Sequence, residues 1–197
     1  TTYGELKTAI ENWLDHQLYT ARVPEFITLF EAAANRRLRV RQQETSTTLV
    51  PSSGDATLPT DYLSWRQARW EGATPRVLDY AEPDYLVARF PTITASTPTL
   101  FTIEGSTFST RSSDATNITF KYFAKVAALS DSAPTNWLLT AHPDIYLFGS
   151  LVEAEMFGVN DERFVLWGAR RNEIFDEIER LSNKTCGGGF GRVMGPT

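Results

Sequence analysis

Apolar side chains recur at helical spacing in the first part of the chain. Between residues 2 and 15 they are Leu6, Ile10, Trp13 and Leu14. Thr2 and Glu5 stand three residues apart, which is the spacing of a capping box at the start of a helix. Pro24 suits the first turn of a second helix that runs through PEFITLFEAAANRRLRVRQQ. The pattern therefore predicts two helices before residue 44.

The same periodicity returns near the C-terminus. The segment HPDIYLFGSLVEAEMFG has Pro143 in its first turn and Gly158 as its C-cap. A last helix begins at Asn160 or Asp161 and extends to Ser182, with acidic residues at the positive end of its dipole. Its side chains at spacings of three and four are Phe164, Trp167, Arg171, Ile174, Phe175, Ile178 and Leu181. This stripe predicts burial against neighbouring helices.

The region between the helices has the alternation of half-buried strands and is rich in Thr and Ser. Pro51, Gly54 and Pro59 interrupt its first part. Two clear strand patterns follow, PTLFTIEGSTFST and TNITFKYFAKV, with Gly105 at a turn. Pro83 begins a short helix, PDYLVARF, between these parts. The pattern predicts a small antiparallel β unit.

The order of these elements predicts an α+β fold. Helices at both ends of the chain are most simply combined in one antiparallel bundle of four main helices, formed by residues 1–43 and 134–182. Residues 44–133 form a small antiparallel β domain inserted into that bundle. Residues 183–197 follow the last helix as a flexible C-terminal arm.

Two charged residues fall within apolar helix faces. Arg37 shares a sector with the apolar residues of the second helix, and Glu155 does the same in the penultimate helix. An unpaired buried charge is unfavourable by several kcal/mol, so the two should seek each other. We predict a buried Arg37–Glu155 pair, with Glu31 or Asp144 as alternative acids for the arginine.

Charge limits the possible partners. The chain has 197 residues, a net charge of −5 and a pI near 5.1, which argues against strong binding to DNA through its phosphates. The most basic segment, NRRLRVR, is typical of a solvated helix flank. The alternative is a small nucleic-acid-binding or regulatory module that uses Arg36, Arg39 and Arg41.

Motifs for catalysis are absent from the sequence. His16 and His142 are far apart and lack partners at metal-ligand spacing. Neither a G-x-S-x-G turn nor a phosphate-binding glycine loop occurs. No apolar run approaches the roughly 20 residues of a membrane span. We expect no enzyme activity, no cofactor, no metal, no small-molecule substrate and no membrane contact.

The final segment, NKTCGGGFGRVMGPT, combines many glycines with side chains that often anchor interfaces. Glycine makes the backbone entropically unfavourable to order alone. Phe190, Arg192, Val193 and Met194 are residue types that are common at interfaces. We predict an arm that becomes ordered when it binds a partner; the alternative is a disordered end without a role.

Three stretches carry a resemblance to a known family. They are Leu58-Pro59-x-Asp61-Tyr62-Leu63, the run 146–157 with Glu153-x-Glu155, and Asp161-Glu162-Arg163. Together with the order of helices and strands, they make nearly the whole chain similar to head-to-tail adaptor proteins of tailed bacteriophages. Within that family the chain resembles the tail tubular protein A type of short-tailed phages.

The resemblance implies a structural protein of the virion, made in the host cytoplasm and located at the head–tail interface. Such adaptors form a dodecameric ring that contacts the portal protein and the tail nozzle protein, and the genome passes through the channel without specific recognition. Their C-terminal extension docks onto the portal, a position that residues 183–197 match. In a ring each subunit needs two complementary faces; exposed aromatics such as Trp65, Trp70, Tyr80 or Tyr85 can supply them. We expect the isolated protein to be a monomer.

Overall fold

The computed structural model describes residues 1–14, 17–158 and 161–186. The chain divides into two units, residues 1–42 with 126–197 and residues 43–125. We call the first the helical unit and the second the sheet unit. In chain order the α-helices are α1 (Tyr3–Leu14), α2 (Val23–Arg37), α3 (Pro83–Arg89), α4 (Trp137–Ala141), α5 (Pro143–Gly158) and α6 (Asp161–Cys186). Two 3-10 helices span Gln17–Arg22 and Arg41–Gln43.

The starts of several helices are fixed by local chemistry. The Thr2 backbone N–H donates to Glu5 Oε2 at 2.8 Å, and the Glu5 N–H donates to Thr2 Oγ1 at 3.3 Å. This reciprocal pair confirms the predicted capping box. Prolines occupy the first turns of α2, α3 and α5, as predicted, because their missing N–H has no partner there in any helix.

Helix α5 is the centre of the helical unit. It packs against α1, α2, α4 and α6, which explains why its sequence is apolar on nearly every side. Its fully buried members include Tyr146 and Leu151, and the Tyr146 ring lies 5.0 Å from the ring of Phe30 in α2. The approach of α2 is so close that a Cβ on Gly149 would lie 2.0 Å from Phe30 Cδ2.

The sheet unit contains strands β1 (Glu44–Leu49), β2 (Asp55–Thr57), β3 (Tyr62–Trp70), β4 (Arg76–Tyr80), β5 (Leu100–Glu104), β6 (Thr107–Ser109) and β7 (Ile118–Ala124). They form a curled sheet in the order β1-β7-β3-β4-β5-β6-β2. All neighbours are antiparallel except β4 and β5, which pair in parallel. The predicted turn at Gly105 joins β5 to β6 with φ +59°, a conformation that glycine adopts readily.

The predicted architecture, a four-helix bundle with a small antiparallel β insertion, is wrong in two respects. Among the described residues there are six α-helices, and the sheet has seven strands and is mixed. Helix α4 has only five residues, too few for periodicity to reveal it. The parallel pairing of β4 with β5 depends on a crossover through α3, which strand alternation cannot detect. The α+β class itself is correct.

Candidate functional site

Arg37, at the end of α2, binds the acidic side of α6. Its guanidinium contacts the Asp176 carboxylate, donates from Nε to Glu179 Oε1 at 3.0 Å, and donates from Nη1 to Asn172 Oδ1 at 3.3 Å. The guanidinium also lies 4.6 Å from the centre of the Phe175 ring, a cation–π geometry. Because its side chain is about one-third exposed (33%), Arg37 lies at the rim of the helical core.

Glu155 is placed differently from Arg37. Its side chain is buried, and the nearest paired cation is Arg163, whose Nη1 lies 3.9 Å from Glu155 Oε1. The structure therefore does not bring the proposed Arg37–Glu155 pair together among the described ion pairs. The reason is that α6 offers acids beside the end of α2, which a helical wheel of α2 alone does not reveal. Asp144, the alternative acid, accepts from the Ile145 N–H at 3.0 Å.

Glu31 is the acid that lies inside the helical core. It is 6% exposed, and its Oε1 accepts from the Leu129 backbone N–H at 2.8 Å and from the Tyr146 hydroxyl at 3.1 Å. Burial raises the pKa of Glu31, and these two hydrogen bonds oppose the rise only in part. Burial likewise raises the pKa of Tyr146. Sequence reasoning named Glu31 only as an alternative.

The same network holds the segment that leads into α4. Asn35 Oδ1 accepts from the Val126 N–H at 2.8 Å. Asn136 donates from Nδ2 to the Ala127 carbonyl at 2.7 Å and to the Tyr146 hydroxyl at 2.6 Å. Glu31 and Asn35 are four residues apart on α2, so both reach the same segment. The feature of the sequence that could have indicated this network is the polar pair Glu31 and Asn35 at helical spacing. In the structure the role of both residues is to hold the backbone of the segment before α4.

Other candidate chemistry is sparse. Within the described residues, no three or more His, Cys, Asp and Glu side chains come together in a way that suits a metal ion. His142 lies at the end of α4, whereas His16 lies outside the described residues. Over the same part of the chain, no helix has the length and apolar character needed to cross a membrane.

The basic segment at the end of α2 is divided among different contacts. Arg39 Nη1 donates to the Asn35 carbonyl at 2.8 Å, and the Arg41 backbone N–H donates to Ser182 Oγ at 3.0 Å. Arg36 is exposed, and the ion pairs between described residues do not include it. The side chains of Arg36, Arg39 and Arg41 are all exposed.

Exposed apolar side chains mark both units. In the sheet unit Trp65 stacks on Tyr80 with ring centres 5.6 Å apart, and Tyr85 is also exposed. Trp70, proposed as an exposed aromatic, is instead buried in the sheet core. In the helical unit the exposed apolar residues include Trp13, Leu29, Met156, Val165 and Leu166. Single exposed apolar residues are common on protein surfaces, whereas contiguous apolar patches mark protein–protein contacts.

The predicted anchors of the C-terminal arm, Phe190, Arg192, Val193 and Met194, lie outside the described residues. The described part of α6 ends at Cys186. Residues 183–186, which were predicted to belong to the flexible arm, are therefore the last residues of α6.

The fold is that of an α+β protein. Its buried polar network binds backbone groups of the same chain and so has a structural role. The remaining candidate functional features are therefore the exposed surfaces. The chain matches the family model described as SU10 adaptor protein over residues 1–190, and it belongs to that family. It is thus a bacteriophage adaptor, a structural protein of the virion. The match confirms the adaptor class and does not extend to the tail tubular protein A type. No curated protein matches the sequence.

Proposed function

We propose that this protein is the head-to-tail adaptor of a tailed phage and forms a dodecameric ring between the portal protein and the tail nozzle protein. The observation that carries the proposal is the adaptor-family match over residues 1–190. The ring surrounds the channel through which the genome passes. Its role is mechanical: it joins two larger assemblies without catalysing a reaction.

The charge of the chain supports this role. A net charge of −5 offers few phosphate contacts, and each such contact would strengthen binding to DNA. A weakly acidic ring therefore lets a polyanion pass without holding it. A protein that recognises or packages DNA would need a net positive charge.

We further propose that residues 187–197, the part of the predicted 183–197 arm that follows α6, dock onto the portal. Glycines at 187, 188, 189 and 191 make an ordered backbone unfavourable for the arm alone. Phe190 and Met194 supply apolar anchors, and Arg192 supplies a charge-assisted donor. Binding therefore has to provide the free energy that orders the arm.

Capture of the protein on purified portal rings of the same phage tests the proposal. The full chain should be retained, and a chain stopped after Ser182 should be lost. A Phe190→Ala/Met194→Ala variant should bind about tenfold more weakly, since two buried anchors contribute at least ~1.4 kcal/mol together. Lys184→Ala is the matched control and should bind like the parent.

Two results would contradict this proposal. Failure of the full chain to bind the portal rejects the adaptor role, and equal capture of full and shortened chains rejects the docking arm. Light scattering supplies a further check. We expect a monomer at micromolar concentration without portal, so stable rings under that condition would overturn the expectation that the portal acts as a template.

A further inference from the structure

Two exposed helix faces of the helical unit carry matching patterns. On α2 the residues Leu29, Ala32 and Arg36 are all exposed, and on α6 the residues Leu166, Ala169 and Glu173 are all exposed. We call these sets the α2 stripe and the α6 stripe. Each reads Leu, then Ala three residues later, then a charge four residues further. The charge is positive in the α2 stripe and negative in the α6 stripe.

The stripes point away from the core that their helices share. The buried residues of α2 are Val23, Phe26, Ile27, Phe30, Glu31 and Ala34, and those of α6 include Trp167, Ile174, Phe175 and Ile178. Leu29 is 47% exposed and Leu166 is 67% exposed, so both side chains face solvent. Neither stripe is covered by the chain's own described residues.

Helices α2 and α6 run in the same direction. The rings of Phe26 and Phe30 in α2 lie 6.1 Å from Phe157 and 5.0 Å from Tyr146 in α5, so α2 and α5 are antiparallel. The ion pairs Arg163–Glu155 at 3.9 Å and Arg171–Glu153 at 3.7 Å show that α6 is antiparallel to α5 as well. Because both helices are antiparallel to α5, α2 and α6 are parallel.

This direction matters in a ring. Rotation about a ring axis leaves the direction of every helix along that axis unchanged, so a ring contact between α2 of one copy and α6 of the next keeps them parallel. Parallel packing in register sets Leu29 against Leu166, Ala32 against Ala169, and Arg36 against Glu173. The alanines between them permit close approach of the helices. Antiparallel packing would instead oppose each charge with a leucine.

We propose that the α2 stripe of one copy packs in parallel against the α6 stripe of the next copy, and that this is the contact between ring subunits. The inference rests on the proposed ring function. Charge complementarity and the identical spacing of the two stripes identify the partner as a second copy of this chain. Glu173 now pairs with Arg170 at 3.1 Å on the surface, an exposed pair that is weak enough to exchange.

The proposed contact is short, which fits assembly on a template. Seven residues of helix span roughly 10 Å, so the stripes alone bury far less than the ~1,200–2,000 Å² of a stable interface. Free copies should therefore meet in this geometry only briefly. A covalent trap is the suitable assay because it accumulates brief encounters.

Disulfide trapping of the full chain at high concentration tests the contact. The chain carries Ala32→Cys and Ala169→Cys, with Cys186→Ser to remove the native thiol, and is oxidised with copper–phenanthroline. Each copy then has one thiol on each face, so the expected product is a ladder of covalent multimers. The control, Thr8→Cys with Ala169→Cys, places one thiol on α1 and should give no ladder. Absence of the ladder, or disulfides only within monomers, would overturn the proposal.

Charge reversal in the same cysteine background tests the register. Arg36→Glu or Glu173→Arg alone should lower the yield of multimers about tenfold, because like charges then face each other across every contact. The two reversals combined in one chain should restore the yield to within about twofold. Arg76→Glu in the sheet unit is the matched charge control. Unchanged yields in the single variants, or no recovery in the combined variant, would refute the register.

The outcome is separable from that of the proposed function. Loss of portal capture with a normal ladder would reject the adaptor role and leave the contact between copies intact. Normal portal capture without a ladder would reject the stripes alone. Circular dichroism of each variant establishes that its helices form, so a lost ladder cannot reflect unfolding.

Discussion

The two units of this protein build their cores by different means. The sheet core is almost entirely apolar and aromatic: Phe108 stacks on Phe101 at 5.1 Å and meets Phe120 edge-on at 5.5 Å. The helical core contains a buried carboxylate, Glu31, and a helix contact that only glycine permits, at Gly149. The stability of the sheet core depends mainly on the amount of apolar surface removed from water. The stability of the helical core also depends on the exact positions of a buried carboxylate and of two closely packed helices.

The difference extends to the polar groups at each core. In the sheet unit the Tyr122 hydroxyl donates to Asp61 Oδ1 at 2.9 Å, and burial together with that carboxylate raises the pKa of Tyr122 to about 12. This contact lies within the sheet unit, at a side chain that is still 5% exposed. In the helical unit, by contrast, polar side chains fix the backbone of residues 126–129 from inside the core. Loss of such a contact leaves a buried N–H donor without an acceptor, which destabilises the fold more than the loss of buried apolar area alone.

The largest effect should follow from truncating the sheet core. Phe108 is fully buried, so Phe108→Ala should lower the free energy of unfolding by about 3–5 kcal/mol. Urea denaturation followed by tryptophan fluorescence measures it. The matched control is Val77→Ala, an exposed apolar residue of the same unit, which should change stability by less than ~0.5 kcal/mol. A loss below ~1 kcal/mol at Phe108 would mean that the sheet core is loosely packed.

A slightly smaller effect should follow from overpacking the helical core. In Gly149→Ala the new Cβ would lie 2.0 Å from Phe30 Cδ2, where Phe30 is fully buried and cannot move aside freely. We expect a loss of about 3 kcal/mol, at the upper end for one added methyl. Gly168 of α6 has no atom within 4 Å of an added Cβ, so Gly168→Ala should stabilise by ~0.5–1 kcal/mol. Equal changes in the free energy of unfolding for the two variants would show that the contact between α5 and α2 tolerates an added methyl group at Gly149.

The sequence was most informative where the cause is local. The capping pair Thr2 and Glu5, the prolines that begin α2, α3 and α5, and the turn at Gly105 depend on neighbours within a few residues. These features were predicted correctly. Such contacts join residues that are close in the sequence, so they can be predicted without knowledge of the tertiary fold.

Contacts between distant segments could not be predicted in the same way. The parallel pairing of β4 with β5 joins strands separated by α3 and a long loop. Arg37 was expected to pair with Glu155 of α5, but its acidic partners in the structure, Asp176 and Glu179, lie on α6. Glu31 was named only as an alternative acid for Arg37, yet it accepts from the backbone N–H of Leu129. Helical wheels assign a face and do not say which element covers it.

Removal of the buried carboxylate should have an intermediate effect. Glu31→Ala leaves the Leu129 N–H without its acceptor and opens a cavity beside Tyr146, so we expect a loss of about 2–3 kcal/mol. Glu31→Gln keeps an oxygen for the Leu129 N–H and a similar volume, and its loss should stay below ~1 kcal/mol. Urea denaturation of both variants at one pH measures the difference. Equal losses would indicate that the charge, rather than the hydrogen bonds, makes Glu31 important.

The smallest effect is the dependence of stability on pH that Glu31 introduces. Burial raises its pKa in the folded state above the ordinary value of 4.5, so the folded protein holds this proton more tightly than the unfolded chain does. The resulting stability is fully present below the unfolded pKa and is lost as the pH rises through the raised folded pKa. Between pH 4 and pH 8, Glu31 should therefore make the protein less stable as the pH increases.

Comparison with Glu31→Gln isolates this contribution, because glutamine does not titrate. Other carboxyls act in the opposite direction: hydrogen bonds from Thr119 and Arg69 lower the pKa of Glu71, and hydrogen bonds from Thr116 lower the pKa of Asp114. Both groups are present in the two proteins, so their effects cancel in the difference. The unfolding free energy of the parent minus that of Glu31→Gln should fall steadily from pH 4 to pH 8. A difference that rises with pH would mean that the Leu129 and Tyr146 hydrogen bonds outweigh burial, and that the helical core favours the charged carboxylate.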